Sequence, residues 1–518
     1  MGVATLISRI MGLIREQVFA YLFGAGNFTD AFNVAFRIPN LLRNLFAEGA
    51  MSAALVPVFA QVREKEGDDR AWRVAGLIFR ILLASVLVFS VAGIFFAPAL
   101  VELYASAFHD IPGKFELTVR MTRIMFPFFP LVALSAAFMA VLNASGVFFL
   151  PALASALFNL TSVGVGAFFA VIVFKNPSSG FSPIEGMAIG IVIGGLVQAL
   201  FQVPILYRAG YHWKKASGPA WYRDPALRKV LKLMIPGVAG LAATQVNILL
   251  NTFLATSQGP GAVSWLSYAF RLMQFPIGIF GVSLASAALP ELSRLWVNNE
   301  PLKTRDTVLE TLDHVWMVNL PASVGLAVLG GPIIALLFQY GHFSAQDTQA
   351  TAMALSMYSV GLGAYSGVKV LAPACYAMGN SRAPVVSSVL SVAVGLILNL
   401  VFLRSFGYWG LALATSCSSV INLFFLLYSV RVILRSRGVE MSHLSYLSPI
   451  FKHLINSMMM GLICWFSYRK LNGFLPENEG FRRILWIRAL KVGAVSLEGV
   501  AIVFGLDIFF KKMNWELK

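Results

Sequence analysis

Charge is scarce in this chain. Of its 518 residues only 12% are charged while 58% are hydrophobic, whereas a soluble domain carries about a quarter charged residues. That balance excludes an ordinary water-facing surface. Cysteine is nearly absent too: Cys375, Cys417 and Cys464 lie far apart, each inside an apolar block, so neither a disulfide framework nor a thiolate metal site is expected. No GxxxxGK[ST] phosphate loop and no HExxH occur, which removes the common routes to ATP hydrolysis and zinc proteolysis. Stretches of about ten residues with alternating polarity, the mark of a membrane β-barrel, are missing as well. Acidic residues have the most telling gap. None stands between Asp224 and Glu291, and only Asp347 stands between Asp313 and Glu440. A carboxylate-built cation site or proton relay is disfavoured there. His342 reads as a loop histidine, and the many aromatics as span packing and interface belts.

What is present is a succession of long apolar blocks, for example 77–98, 151–174 and 187–204. Each matches the ~20 residues that cross ~30 Å of hydrocarbon. The sequence predicts an all-α integral membrane protein with about 14 spans, centred near residues 13, 45, 85, 130, 162, 196, 242, 278, 322, 360, 392, 420, 459 and 498. Arg9 and Arg15 interrupt the first apolar stretch, so it does not read as a cleaved signal peptide. With the N-terminus inside, the inner loops and tail hold about 22 Lys and Arg against about 9 outside. By the positive-inside rule both termini are cytoplasmic. The segment 469–488, with five basic residues on the outer side, is the exception. The net charge of +16 is thus a matter of topology, and no nucleic-acid partner is expected.

Offsetting the halves by 234 residues aligns Ala35-Phe36-Arg37 with Ala269-Phe270-Arg271, and Ser52-Ala53-Ala54-Leu55 with Ser286-Ala287-Ala288-Leu289. Duplication predicts two six-helix lobes related by a pseudo-twofold axis along the membrane normal, around a central cavity. The expected division is an N-lobe over 1–207, a basic cytoplasmic linker over 208–232, a C-lobe over 233–436, and two further spans over 437–518.

Charges inside the first spans carry the functional signal. Span 1 holds Arg9, Arg15 and Glu16; span 2 holds Asp30, Arg37, Arg43 and Glu48. At 100° per residue Asp30, Asn33, Arg37, Asn40, Asn44 and Glu48 form one polar stripe along roughly 27 Å of helix. Each mid-bilayer charge costs at least ~2.5–3.5 kcal/mol, so the stripe must face a partner or a cavity. Structural ion pairs such as Arg9–Glu16 account for part of this. They leave a surplus of basic groups that includes Arg271 in the second half. Lys369 in span 10 reads equally as a snorkelling structural lysine. Arginine's planar fork of donors suits phosphate, and a chamber with surplus positive charge selects anions.

The stretch Ser8-Arg9…Arg15…Phe23-Gly24-Ala25-Gly26…Thr29-Asp30-Ala31-Phe32…Ala35-Phe36-Arg37-Ile38-Pro39-Asn40-Leu41-Leu42-Arg43…Phe46-Ala47-Glu48-Gly49-Ala50 resembles the start of the MurJ (MviN) family. These are lipid II flippases of the multidrug/oligosaccharidyl-lipid/polysaccharide exporter superfamily. Val263-Ser264-Trp265…Arg271-Leu272-Met273…Phe275-Pro276, Leu337-Phe338-Gln339-Tyr340-Gly341 and Val368-Lys369-Val370-Leu371-Ala372-Pro373 look like further family signatures. The likeness runs from residue 5 to about 430.

The resemblance implies a transporter, not an enzyme, that moves undecaprenyl-diphosphate-linked peptidoglycan precursor across the bacterial cytoplasmic membrane by alternating access, in the service of cell-wall biogenesis and cell shape. Export of another polyprenyl-diphosphate-linked glycan is the alternative. It implies substrate contacts at Arg9, Arg15, Arg37, Arg43, Arg271 and Lys369, with Arg15 and Arg271 on the diphosphate. Gating or cavity positions would be Glu16, Asp30, Asn40, Glu48 and Gln274. The last two spans would form a groove for the polyprenyl tail. Expected partners are lipid II, membrane lipids and the cell-wall synthesis machinery. No cofactor or metal is expected; dependence on the membrane potential or an ion gradient is. The chain departs from the family at Phe270 and Gln274, where many members have acids, and at Asn44, which is often basic. Losing two carboxylates leaves Arg271 less neutralised and argues against the sodium site that some relatives have in the second half.

Overall fold

The computed structural model describes residues 2–45, 50–175, 180–212, 224–474 and 481–516. Among them there is no strand. The described residues form nineteen α-helices: α1 (Gly2–Phe23), α2 (Asn27–Arg43), α3 (Ala50–Glu66), α4 (Asp68–Phe95), α5 (Ala97–Ala105), α6 (Lys114–Met125), α7 (Phe128–Ala144), α8 (Phe149–Phe168), α9 (Pro183–Arg208), α10 (Pro225–Thr256), α11 (Ala262–Pro276), α12 (Val282–Val297), α13 (Pro301–Phe338), α14 (Ala345–Ser359), α15 (Leu362–Ala377), α16 (Arg382–Phe406), α17 (Tyr408–Arg435), α18 (His443–Phe474) and α19 (Phe481–Glu516). Nine helical segments among the described residues are long and apolar enough to cross a membrane. Their outward faces are what lipid requires. On α16, Val385, Val386, Val389, Leu390, Ile397, Leu400 and Val401 are all exposed, a contiguous apolar face that water would not tolerate.

One expected span centre, 360, falls on a break, between α14 and α15. Centre 278 lies on the π-helical turn Ile277–Gly281 near the middle of the continuous apolar segment Ala262–Val297. The break at 360 has a visible cause. Gly361 is pressed so closely on α17 that a Cβ there would sit 2.7 Å from Ser416 Cα. Ser416 Oγ in turn donates to the carbonyls of Met357 (2.7 Å) and Tyr358 (3.1 Å). The hydroxyl adds a donor to carbonyls at the interruption, where the regular helical ladder ends.

The chain divides into two compact units, Met1–Ser264 and Trp265–Lys518. The sequence reading opens the second lobe at residue 233, but α10 lies within the first unit. There Arg70 Nη2 pairs with Asp224 at the foot of α10 (2.8 Å) and Lys229 Nζ donates to Gln61 Oε1. Leu227 and Val230 join the core built by α3, α4 and α7. A second core of this unit joins α1, α2, α6, α7, α8 and α9 through Phe19, Phe32, Met121, Phe128, Phe158 and Ile191. Gly190 lets α9 approach α8, since a Cβ there would stand 2.3 Å from the Ser162 carbonyl oxygen.

In the second unit, α12, α13, α15 and α17 share one core around Trp316, Leu371 and Leu427. A separate cluster of Leu329, Met460, Cys464 and Val495 fastens α18 and α19 to α13. Arg488, one of the basic residues that break the charge bias, donates to the Ala335 (2.8 Å) and Gln339 (3.4 Å) carbonyls and lies over the Tyr340 ring. It caps the C-terminus of α13, where a cation is favoured.

Candidate functional site

The expected site residues are carried by both units. In the first, α1 presents Arg9 and Arg15 half-buried. Arg15 Nε and Nη2 donate to Glu16 Oε1 (3.2 and 2.9 Å), and its guanidinium lies 5.7 Å from the Phe158 ring centre. Both side chains of this pair are 14% exposed, so two charges sit in a restricted, partly apolar setting.

On α2 the stripe residues Asp30, Asn33 and Arg37 bond to protein, as their cost in lipid requires. Asp30 is wholly buried, and its two oxygens accept four hydrogen bonds. Oδ2 takes Lys114 Nζ (3.2 Å) and Gly261 N (2.7 Å); Oδ1 takes Ser264 N (3.0 Å) and Ser264 Oγ (2.6 Å). Gly261 and Ser264 belong to the start of α11, whose first-turn N–H groups have no intrahelical acceptor. Asp30 therefore caps α11 from another helix, and its negative charge meets the positive end of that helix. Lys114 Nζ also donates to Asn27 Oδ1 (3.0 Å) and sits 4.0 Å from the Phe108 ring centre. Farther along the stripe, Asn33 Nδ2 donates to Ser264 Oγ (3.3 Å) and Arg37 Nη1 to Thr252 Oγ1. The stripe thus runs alongside residues 252–264. Asn40 Oδ1 is buried and has no hydrogen-bond partner among the described residues. Arg43 donates to Asn44 Oδ1 (3.3 and 3.1 Å). Glu48 lies outside the described residues.

In the second unit Arg271 and Gln274 are exposed, one turn apart on α11, and Lys369 is exposed on α15. The elements bearing them adjoin. A Cβ at Gly281, in the turn after α11, would stand 2.9 Å from Ser366 Oγ, one turn before Lys369. Asp347, the single acid in its long stretch, is fully employed. It completes the α14 capping box with Ser344 (Asp347 N to Ser344 Oγ 3.1 Å, Ser344 N to Asp347 Oδ2 2.9 Å) and accepts Trp265 Nε1 (2.9 Å).

Sequence reasoning missed Lys114, the buried partner of Asp30, because residue 114 reads as an outer-loop lysine. It also missed Thr252 and Ser264. For Ser264 a signal existed: the 234-residue offset makes Asp30 and Ser264 equivalent positions, and these two residues hydrogen-bond to each other.

Such an arrangement offers guanidinium groups to an anion, and no group of three or more His, Cys, Asp or Glu that could hold a metal ion stands among the described residues. The comparisons with known proteins agree. Residues 19–479 match the family model described as lipid II flippase MurJ. The chain is 33% identical to the probable lipid II flippase MurJ of Haemophilus influenzae, with 96% of this chain and 97% of that protein covered. It is 35% identical to the lipid II flippase MurJ of Burkholderia cenocepacia, covering 89% and 88%. Its fold matches a solved structure of lipid II flippase MurJ in an inward closed conformation with a TM-score of 0.77, at 23% identity and 99% coverage of each chain. On these grounds the chain belongs to the lipid II flippase MurJ family.

Proposed function

We propose that this chain is a flippase that carries lipid II, the undecaprenyl-diphosphate-linked peptidoglycan precursor, from the inner to the outer face of the bacterial cytoplasmic membrane. One observation carries the reading: half-buried guanidinium groups at Arg9, Arg15, Arg37 and Arg43 line the first two helices of a chain that matches this family over most of its length. Arginine binds phosphate oxygens two at a time, so a diphosphate is the ligand these groups fit.

Arg15 and Arg271 engage the diphosphate, with Arg9, Arg37, Arg43 and Lys369 adding positive potential along its path. The site opens alternately to the two faces of the membrane. Glu16 competes with phosphate for Arg15, so release of one accompanies capture of the other, and the difference in affinity between the two states drives the change. Asp30, Asn40, Glu48 and Gln274 belong to the moving parts, and Asp30 holds the start of α11 while the outer side is shut. Spans α18 and α19 accommodate the polyprenyl tail. Both termini lie in the cytoplasm, and the membrane potential acts on the charge that is moved. The chain works beside the cell-wall synthesis machinery.

The test is complementation of a strain depleted of its own lipid II flippase. The wild-type chain restores growth, whereas Arg15→Ala and Arg271→Ala accumulate in the membrane and do not. Growth with both arginines removed would end this assignment.

A further inference from the structure

We propose that the second unit carries a binding pocket for the phosphate headgroup of an anionic membrane phospholipid, distinct from the transport site. A cavity of about 570 Å³ opens where α13 begins, α17 ends and α18 starts. Arg305 and Arg431 line it from two different helices, Ser442 and Ser445 from the start of α18, and Leu309 and Met441 supply an apolar wall. Glu440 also lines it, and its side chain is exposed to solvent.

Arg305 is held in place. Its Nε and Nη2 donate to Asp306 Oδ1 (2.9 and 2.8 Å) and its Nη1 to the Glu440 carbonyl (3.3 Å). These bonds use three of the five N–H groups that a guanidinium carries, so the group is oriented without being saturated. α18 starts at His443, which sets the positive end of a 32-residue helix beside Ser442 and adds to the pull on an anion. Ser445 Oγ donates to the Ser442 carbonyl (2.6 Å), fixing the turn that forms this wall.

The depth of the pocket identifies the occupant as a lipid and not a dissolved phosphate ester. On α17, Tyr428 and Val432 are exposed apolar residues, and Arg435 and Arg437 follow them directly. On α18, exposed Phe451 and Ile455 begin just beyond Ser445. Helix α17 therefore changes from lipid-facing to charged at the level of the cavity, where phospholipid headgroups lie, and the apolar exposed face of α18 begins at the same end. Basic pockets between membrane helices at that level take anionic headgroups. The loop charge bias assigns this end to the inner leaflet. The proposal does not depend on what the protein transports.

Native mass spectrometry of the purified full-length protein tests it, with phosphatidylglycerol, phosphatidylcholine and glycerol 3-phosphate as probes. One phosphatidylglycerol is expected to stay bound in preference to phosphatidylcholine. Each arginine removed should lower its affinity roughly five-fold, and Arg305→Ala with Arg431→Ala should abolish the preference. Arg431→Gln alone, checked by its melting curve, carries the test if the double variant does not fold. Arg404→Ala, in the last turn of α16, should keep the bound lipid. Equal retention of phosphatidylcholine, an unchanged adduct in folded Arg431→Gln, loss in Arg404→Ala, or displacement by an equal concentration of glycerol 3-phosphate would each overturn the proposal.

Discussion

Replacing Asp30 by alanine should destabilise the first unit more than any other single loss in the polar stripe. The carboxylate is fully buried and accepts four hydrogen bonds, one from a lysine that is itself only 4% exposed. Removing one partner of a buried ion pair costs about 3–5 kcal/mol, because the other charge stays buried without compensation. Lys114 would be that stranded charge, and the first-turn N–H groups of α11 would lose their acceptor. Lys114→Met on the wild-type background should cost less, since Asp30 retains three donors from Gly261 and Ser264. In the double variant no charge is stranded. Its loss should fall below the sum of the two single losses by roughly 1–3 kcal/mol. Reversible unfolding of the purified protein in mixed detergent measures all four corners of the cycle. Additive losses, or an Asp30→Ala protein as stable as wild type, would refute the argument that this carboxylate organises the start of α11.

Other outcomes follow from packing and caps. Gly190→Ala places a methyl 2.3 Å from the Ser162 carbonyl oxygen and should lower stability by about 1–3 kcal/mol through overpacking. Gly164→Ala, with open space at its Cβ, should be neutral or slightly stabilising in the same melting assay. Ser344→Ala removes half of the α14 capping box and should cost about 1 kcal/mol, read as a lowered unfolding midpoint. Arg37→Leu removes the donor to Thr252 and one positive charge. It should lower the rate of lipid II externalisation in proteoliposomes while leaving accumulation near wild type.

The helical membrane architecture was legible because apolar blocks of about 20 residues have few other uses. The polar stripe on α2 was legible for the same energetic reason: Asp30, Asn33 and Arg37 had to turn away from lipid, and they do. Their partners were not. Lys114 lies 84 residues from Asp30 in sequence, and no local pattern shows that a loop lysine is buried against it. The break at Gly361 escaped for a related reason. Hydropathy averages over the window, so Gly361 vanishes into apolar surroundings although its close contact with Ser416 fixes it. The place of α10 with the first unit rests on Asp224 and Lys229, whose partners Arg70 and Gln61 lie far away in the chain. The shortage of acids between Asp313 and Glu440, by contrast, could be read directly, and its one exception, Asp347, is spent on a helix cap and on Trp265.

The central claim is that this chain carries lipid II outward, and the most direct measurement uses cells in which it is the sole lipid II flippase. Its expression is switched off, and a toxin that cleaves lipid II at the outer face is added. Lipid II should be cleaved while the protein is present, become protected once it is depleted, and stay protected when only Arg15→Ala is supplied. Undiminished cleavage after depletion would contradict the account.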